Sequence, residues 1–415
     1  MAHGKTFDVD VAIIGGGAAG IGAARRLSGQ GLSVWLVEAS QRLGGRGWTL
    51  DLEGLALDMG CGWLHSAGHN AWRQLAEDAG WEIDRRAAAW NQHQPHPHFT
   101  KAEQDEAHAA FDAWHARLMD TPPASDRASD ALDPSNRWNG YLQAMSGFIS
   151  GAALDRISAA DYNAYERAAT EQNWRLPRGY GTLIASHLPL DTGCRFSTPV
   201  EAIDAEGEGV TLRTPTGGIR CRAAVVTVST NVLASNVMRL PDALDDWRHA
   251  AACLPLGCDE KVFFSIDGTV DLPTEEVLVA NPHDPDSPVF YFRPLEQPLV
   301  ETFLGSRSAH RVTAEGPAAT FDHLSSLLRG LLGRDAASHL RPLASSGWSG
   351  STYVRGSYSH ALPTQAHQRQ QLATPFRERL FFAGEATHPD AFSTAHGALE
   401  TGIRAGTEVL QALTR

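Results

Sequence analysis

An apolar run with strand character, Val9-Asp10-Val11-Ala12-Ile13-Ile14, breaks into Gly15-Gly16-Gly17-Ala18-Ala19-Gly20, and this glycine spacing limits the fold more than any other feature. The segment from Ala18 to Ser28 has helical character, Gly31 ends it, and Val34-Trp35-Leu36-Val37 makes a second strand that stops at Glu38. In such a strand–turn–helix unit Gly15 allows the tight turn, Gly17 lets the backbone approach a pyrophosphate, and Gly20 lets helix and strand pack closely. The free N–H groups and the positive end of the helix receive the phosphate charge. Glu38 falls about 20 residues on, where an acidic side chain takes ribose hydroxyls. The unit predicts a Rossmann-like α/β domain that holds a dinucleotide.

The residues that follow narrow the dinucleotide. Glu38-Ala39-Ser40-Gln41-Arg42-Leu43-Gly44-Gly45-Arg46 resembles the E-A-x-x-R-x-G-G-R extension of the flavin-dependent amine oxidases and their phytoene-desaturase and protoporphyrinogen-oxidase relatives. The resemblance implies FAD rather than NAD. Physically, a paired-glycine turn between two arginines can approach the ribityl-phosphate side of a long cofactor and neutralise charge there. A second signature, Phe381-Phe382-Ala383-Gly384-Glu385-Ala386-Thr387-His388 followed by Phe392-Ser393-Thr394-Ala395-His396-Gly397, resembles the family's C-terminal cofactor motif, above all in its polyamine-oxidase branch. It implies that Glu385 holds the ribityl or pyrophosphate part and that the next helix aims its N-terminus at the flavin, with Phe392, Ser393 and Thr394 at its start. Ser197–Ile203 looks like the family's adenine-side strand, with the Val200 backbone as the contact. The glycine-rich turn Gly60-Cys61-Gly62-Trp63 is read as part of the same site. Ala224–Val228 with Ser229-Thr230-Asn231-Val232-Leu233 matches the V-P-x-x-V-L turn, Ser229 replacing the proline.

The chemistry falls to residues far downstream. Lysine occurs at Lys5, Lys101 and Lys261, against a large excess of arginine. Such usage suggests that a retained lysine does what arginine cannot, giving up a proton when desolvated. Lys261 follows Pro255-Leu256-Gly257-Cys258-Asp259-Glu260 and resembles the lysine of the family's P-x-G-x-x-x-K segment, which implies a water held against flavin N5 and help in the reaction with oxygen. Gly347-Trp348 with Gly356-Ser357-Tyr358-Ser359 resembles the family's tryptophan and G-S-Y-S aromatic cage. Walls of that kind disfavour an ammonium and orient the neutral amine. Ser357 stands where relatives with covalent flavin carry cysteine, so non-covalent FAD is expected. Thr394 aligns with the second cage tyrosine of monoamine oxidases, so a double-tyrosine cage is not expected, and Phe392 is read as nearby aromatic surface. His65 matches the W-x-H turn of polyamine oxidases and is placed on the substrate side, with a purely structural histidine as the equal alternative.

The expected reaction is oxidation of an amine C–N bond by hydride transfer to flavin N5, with reoxidation by oxygen to give imine or aldehyde and hydrogen peroxide. Other readings on the same fold are an amino-acid oxidase, a desaturase, or an amine dehydrogenase with a protein acceptor. An amino-acid oxidase needs an arginine on the substrate carboxylate, which the abundance of arginine leaves open. No GxSxG, HExxH or P-loop supports a hydrolase or an NTP-driven enzyme. His93, His96 and His98 sit in a proline-rich loop without further ligands at metal spacing, so no metal site is expected.

A chain of 415 residues exceeds one compact core. The motif order predicts a discontinuous FAD-binding domain (5–78, 176–250 and 346–415) interleaved with a mixed sheet-plus-helices substrate domain (79–175 and 251–345). Helices are expected at Ala102–Met119 and Asp155–Ala169. Tryptophans such as Trp72, Trp81, Trp90, Trp114 and Trp138 are read as core or interface residues, with one or two lining a substrate funnel. Five cysteines, odd in number and without CxxC, favour reduced thiols in a cytoplasm. The net charge of −13 argues against nucleic acid and anionic membranes as partners. No run is long enough to cross a bilayer and the N-terminus lacks a signal-peptide pattern. A homodimer stays open.

Overall fold

The computed structural model describes residues 7–91 and 95–414, so Lys5 and His93 lie outside the described residues. In chain order, the strands of its two large sheets are β1 (Val9–Ile14), β2 (Val34–Val37), β3 (Gly193–Arg195), β4 (Ala202–Asp204), β5 (Val210–Thr214), β6 (Gly217–Val226), β7 (Asp259–Ile266), β8 (Glu276–Val279), β9 (Val289–Phe292), β10 (Leu299–Gly305), β11 (Leu340–Ser345) and β12 (Leu380–Phe382). The helices used below are α1 (Ala18–Leu27), α2 (Lys101–Asp120), α3 (Asn139–Ser150), α4 (Ala159–Ala168), α5 (Gly316–Leu332) and α6 (Ala395–Leu413).

The first sheet runs β3-β2-β1-β6-β5-β4, with β12 also on β6. β1 is apolar at nearly every position because both of its faces are covered. Val11 and Ile13 enter the core beneath α1 and α6, while Val9, Ala12 and Ile14 enter the core on the other face. β6 has two characters. Its first half forms an antiparallel hairpin with β5 (Gly217 opposite Thr214), and its second half lies parallel to β1 and β12 (Val225 opposite Ile13 and Phe381). The expected strand at Ala224–Val228 is thus the end of a longer one, whose hairpin half is spaced by Gly217, Gly218, Arg220 and Arg222 and has no apolar run to announce it. The strand expected from Val200 begins two residues later.

The second sheet is antiparallel throughout, in the order β8-β9-β10-β7-β11. Its face toward α5 buries Val262, Phe264, Phe290 and Phe292 against Leu324 and Leu328. Alternation along β7 sends Asp259, Lys261 and Phe263 to the other face. Helices α2, α3 and α4 pack around Trp114, Trp138 and Tyr162. The Asp155–Ala169 segment is a 3-10 turn, Leu154–Arg156, and then α4. Ser158 divides them, its hydroxyl accepting from the Asp161 N–H as an N-cap. Trp72, Trp114 and Trp138 are core residues, and Trp90 is 40% exposed. No helix among the described residues is long and apolar enough to cross a membrane.

Candidate active site

A cavity of about 1280 Å³ runs from the first glycine turn to the open face of the second sheet. A single small-molecule site is about 300–1,000 Å³, so this cavity is larger than one such site. All the candidate cofactor, substrate and catalytic residues read from the sequence line it except Gly20. Gly20 acts from behind: a Cβ there would stand 2.0 Å from the Gly15 carbonyl oxygen, so the residue sets how closely α1 meets the turn. Gly15 itself takes φ 108° beside Thr227.

The two glycine turns form one surface, since Gly44 N–H donates to the Gly16 carbonyl at 2.8 Å. Glu38, at the end of β2, receives Gly16 N–H and Ser40 N–H, each at 2.7 Å, which fixes its carboxylate at the cavity wall. Arg42 donates to the Leu43 and Gly45 carbonyls and lies 4.6 Å from the Trp48 ring centroid. Arg46 crosses to Glu385 at 2.9 Å. Glu385 is buried and also receives Ser359 N–H, the Ser359 hydroxyl and Ser393 N–H. Burial alone would raise its pKa, but Arg46, Ser359 and Arg369 outweigh that and hold the carboxyl below its ordinary range. Glu385 is therefore the knot of this end, with its oxygens already engaged by protein donors. Arg369 extends the knot to Asp161 of α4 through two bonds of 2.6 and 2.7 Å. Thr394 caps α6, accepting from Gly397 N–H and donating to the Ala391 carbonyl. Backbone N–H groups, a helix N-terminus and two arginines suit a pyrophosphate, and Val200 lines the wall beyond Glu38. The residues present fit FAD.

At the other end, Lys261 is held on two sides, donating to the Asp58 carbonyl at 2.9 Å and pairing with Glu301 at 2.7 Å. Trp348 is buried, its indole N–H on the Met59 carbonyl at 2.8 Å and its backbone N–H on Glu260 at 3.0 Å. Tyr358 donates its hydroxyl proton to the Phe148 carbonyl. Phe392 packs at 5.6 Å from Tyr165 and lies 3.6 Å beneath the Arg369 guanidinium. His65 lines the cavity with Nδ1 on Asn173 Oδ1 at 2.7 Å, and burial lowers its pKa, keeping the ring neutral. Burial also pushes the Cys61 thiol up to about 12, so it stays protonated at the wall. Trp90 is the lining member among the tryptophans read from sequence as core or funnel candidates. His96 uses Nε2 on the Val279 carbonyl and Nδ1 on His98 N–H, and the described residues contain no group of three such side chains placed to hold a metal ion.

Sequence reasoning missed several members of the wall. Tyr162, Tyr165, Glu166 and Ala169 line it from α4 and the residue after it, at the i, i+3, i+4, i+7 spacing of a helix stripe that could have been read. Asp259, two positions before Lys261, was legible by strand alternation. Tyr291 of the wall, and Glu301 behind it as the partner of Lys261, were not, because the registers of β9 on β10 and of β10 on β7 are tertiary facts.

The family model "Flavin containing amine oxidoreductase" matches residues 18–105 and 84–410. Polyamine oxidase 4 of Oryza sativa subsp. japonica is 28% identical over 96% of this chain and 88% of its own length. Nicotine dehydrogenase of Pseudomonas putida is 24% identical over 98% of this chain and 89% of its own. The solved structure of cyclohexylamine oxidase from Brevibacterium oxydans IH-35A shares the fold, with a TM-score of 0.74 at 20% identity, covering 98% of this chain and 100% of that one. With a family match over almost its whole length and a cradle built for the cofactor, the chain belongs to the flavin-containing amine oxidoreductases, on the polyamine-oxidase side of that family, and is an FAD-dependent enzyme of amine oxidation.

Proposed function

We propose that the protein binds FAD non-covalently and oxidises a small-molecule amine at the end of the cavity walled by Lys261, Trp348 and Tyr358, with oxygen as the final acceptor and the cytoplasm as its compartment. FAD held by the glycine turns, Arg46 and the Glu385 end would supply the acceptor for a hydride from the carbon next to the amine nitrogen, with oxygen as the oxidant that yields hydrogen peroxide and with the resulting imine hydrolysed to aldehyde. The cofactor domain in this reading comprises 5–78, 176–250 and 346–415, and the substrate domain 79–175 and 251–345.

The observation that carries the reading is the charge of the lining. Its two arginines, Arg42 and Arg46, both belong to the second glycine turn, and its lysine is paired with Glu301. An amino-acid oxidase would need an arginine at the amine end to clamp the carboxylate, and the described lining offers none there. What it offers is aromatic surface and a neutral His65, with acids such as Glu166 and Glu171 also on the wall; against the aromatic surface an ammonium is poorly solvated and the free amine is favoured. Trp348 and Tyr358 orient the amine, and Lys261 is poised to hold a water or oxygen. Ser357 supports non-covalent attachment because it has no thiol to bond the flavin.

Anaerobic titration of the purified yellow protein with amines and amino acids tests this. Amines should bleach the flavin, and readmitted oxygen should restore the colour with release of peroxide. Bleaching by amino acids alone would overturn the substrate class. Colour that returns only with an added electron acceptor would make the protein a dehydrogenase. Flavin that stays with the protein after denaturation would overturn non-covalent binding.

A further inference from the structure

Ser229 stands where the V-P-x-x-V-L turn has proline, and its side chain has a task that proline could not perform. It lies just past the end of β6, where Val226 is paired with Ile14 at the end of β1. A bound dinucleotide sits outside such carboxyl ends of parallel strands. The Ser229 hydroxyl donates to the Val354 carbonyl at 2.6 Å and accepts Val232 N–H at 3.3 Å. Asn231 donates from its amide to the Arg355 carbonyl at 2.7 Å and accepts Leu256 N–H at 3.1 Å. Two adjacent carbonyls of one loop are thus taken by two side chains of another segment. That loop, 348–356, closes on itself, its Trp348 carbonyl accepting Ser351 N–H at 3.2 Å and Gly356 N–H at 3.1 Å. Ser351, Tyr353 and Val354 line the cavity, as do Thr227, Val228 and Ser229, while Thr352, Tyr353 and Arg355 are exposed to solvent. The loop is therefore a wall with the cavity on one side and water on the other. Among the described residues, the hydrogen bonds from 351–355 that reach beyond the loop are those to Ser229 and Asn231.

We propose that Ser229 and Asn231 are cofactor-retaining residues: together they latch the loop 348–356 across the crevice, and FAD bound beneath it leaves only when both bonds open. The inference rests on the FAD site alone, not on the amine or on oxygen as acceptor. The ends of the loop are anchored separately. Trp348 is held by Glu260 and the Met59 carbonyl, and Ser357 N–H donates to the Gly257 carbonyl at 2.9 Å. The middle of the loop can therefore lift while its ends stay in place. Each latch bond is exchanged for a bond to water when it opens, so either one alone is a modest barrier. Placed on neighbouring carbonyls, both must open before the loop can lift. Proline at 229 would keep the turn and lose the latch. Ser229 has φ −65°, the angle that proline fixes, and among the described residues its N–H donates to no protein acceptor.

The FAD-loaded protein tests this through the flavin it loses. After dilution, fluorescence of released FAD should appear about fivefold faster in Ser229→Pro than in wild type, the effect of one lost hydrogen bond. With Asn231→Ala added, release should be about tenfold faster or more. Ser229→Thr keeps a hydroxyl and should release FAD at the wild-type rate. Trypsin should cut after the exposed Arg355 sooner in Ser229→Pro, read from the fragment masses, because the loop opens more often. In excess FAD the melting temperature of Ser229→Pro should stay within about 2 °C of wild type, since proline at a compatible φ does not weaken the fold. Release from Ser229→Pro at the wild-type rate overturns the proposal. So does fast release that comes with a larger fall in melting temperature, or Ser229→Thr releasing as fast as Ser229→Pro. Should Ser229→Pro fail to fold, Ser229→Ala removes the same hydroxyl and decides. If no amine reduces the flavin, the proposed function fails, whereas the release rates still report on the latch.

Discussion

At the cofactor end of the cavity, two glycine turns touch through backbone and Glu385 gathers its donors from Arg46, Ser359 and Ser393. At the proposed amine end, Lys261, Trp348, Tyr358 and Phe148 arrive from four separate segments and line the cavity held by side chains and backbone carbonyls. The first end is a backbone shape with a buried charge at its centre, so damage there should cost folding and cofactor together. The second is a set of side chains on a finished scaffold, so damage there should cost rate and leave the flavin bound.

Glu385→Ala should break this contrast most severely. Removing the carboxylate strands Arg46 and the Ser359 and Ser393 donors, and breaking a buried pair costs about 3–5 kcal/mol. Thermal denaturation and flavin content should fall together; a stable, yellow variant would deny Glu385 its central place. Next comes acidity. Burial holds His396 at about 4 and His360 at about 3, both below the ordinary histidine value of 6.5. Between those values the unfolded chain binds more protons, so stability is present at neutral pH and is lost as pH falls from 6.5 toward 4. For His396 the loss is on the order of 3 kcal/mol. A melting temperature that falls over this window in wild type, and less in His396→Gln, checks it.

At the amine end the expected losses are kinetic. Lys261→Met combined with Glu301→Gln, which avoids leaving a buried carboxylate unpaired, should keep FAD and slow reoxidation by oxygen about 100-fold, read by stopped flow after anaerobic reduction. Unchanged reoxidation would remove the role given to Lys261. Tyr358→Phe should have the smallest effect. It keeps the ring and loses a hydrogen bond worth about 1 kcal/mol, so flavin reduction should slow by only a few-fold. Loss of flavin from either variant would erase the distinction between the two ends.

The same contrast explains what could be read from the sequence. Gly15 to Arg46 and Gly384 to Thr394 are contiguous, and their work is done by backbone conformation and short-range contacts, which leave a mark in local spacing. Lys261, Trp348 and Tyr358 stood out through resemblance, since nothing in their own spacing brings them together. Glu301 and Phe148 left no local mark: one depends on the register of β10 against β7, the other offers only a carbonyl at the end of α3. Ser158, the cap that divides Leu154–Arg156 from α4, was visible as a residue type, but periodicity alone favoured one continuous helix.

The position of β12 and α6 also bears on how the chain is made. β12 completes the first sheet against β6, and α6 packs so closely on α1 that a Cβ at Gly402 would stand 2.0 Å from the Ala19 carbonyl oxygen. The partners are separated by more than a hundred residues in one case and almost the whole chain in the other. At a ribosomal rate of about 5–20 residues per second, the N-terminal turn waits on the order of tens of seconds for its roof, with one face of its core uncovered. The nascent protein therefore commits to its cofactor late, and a ribosome stalled before residue 380 releases a chain that has every glycine of the first turn and no enclosed place to put a flavin.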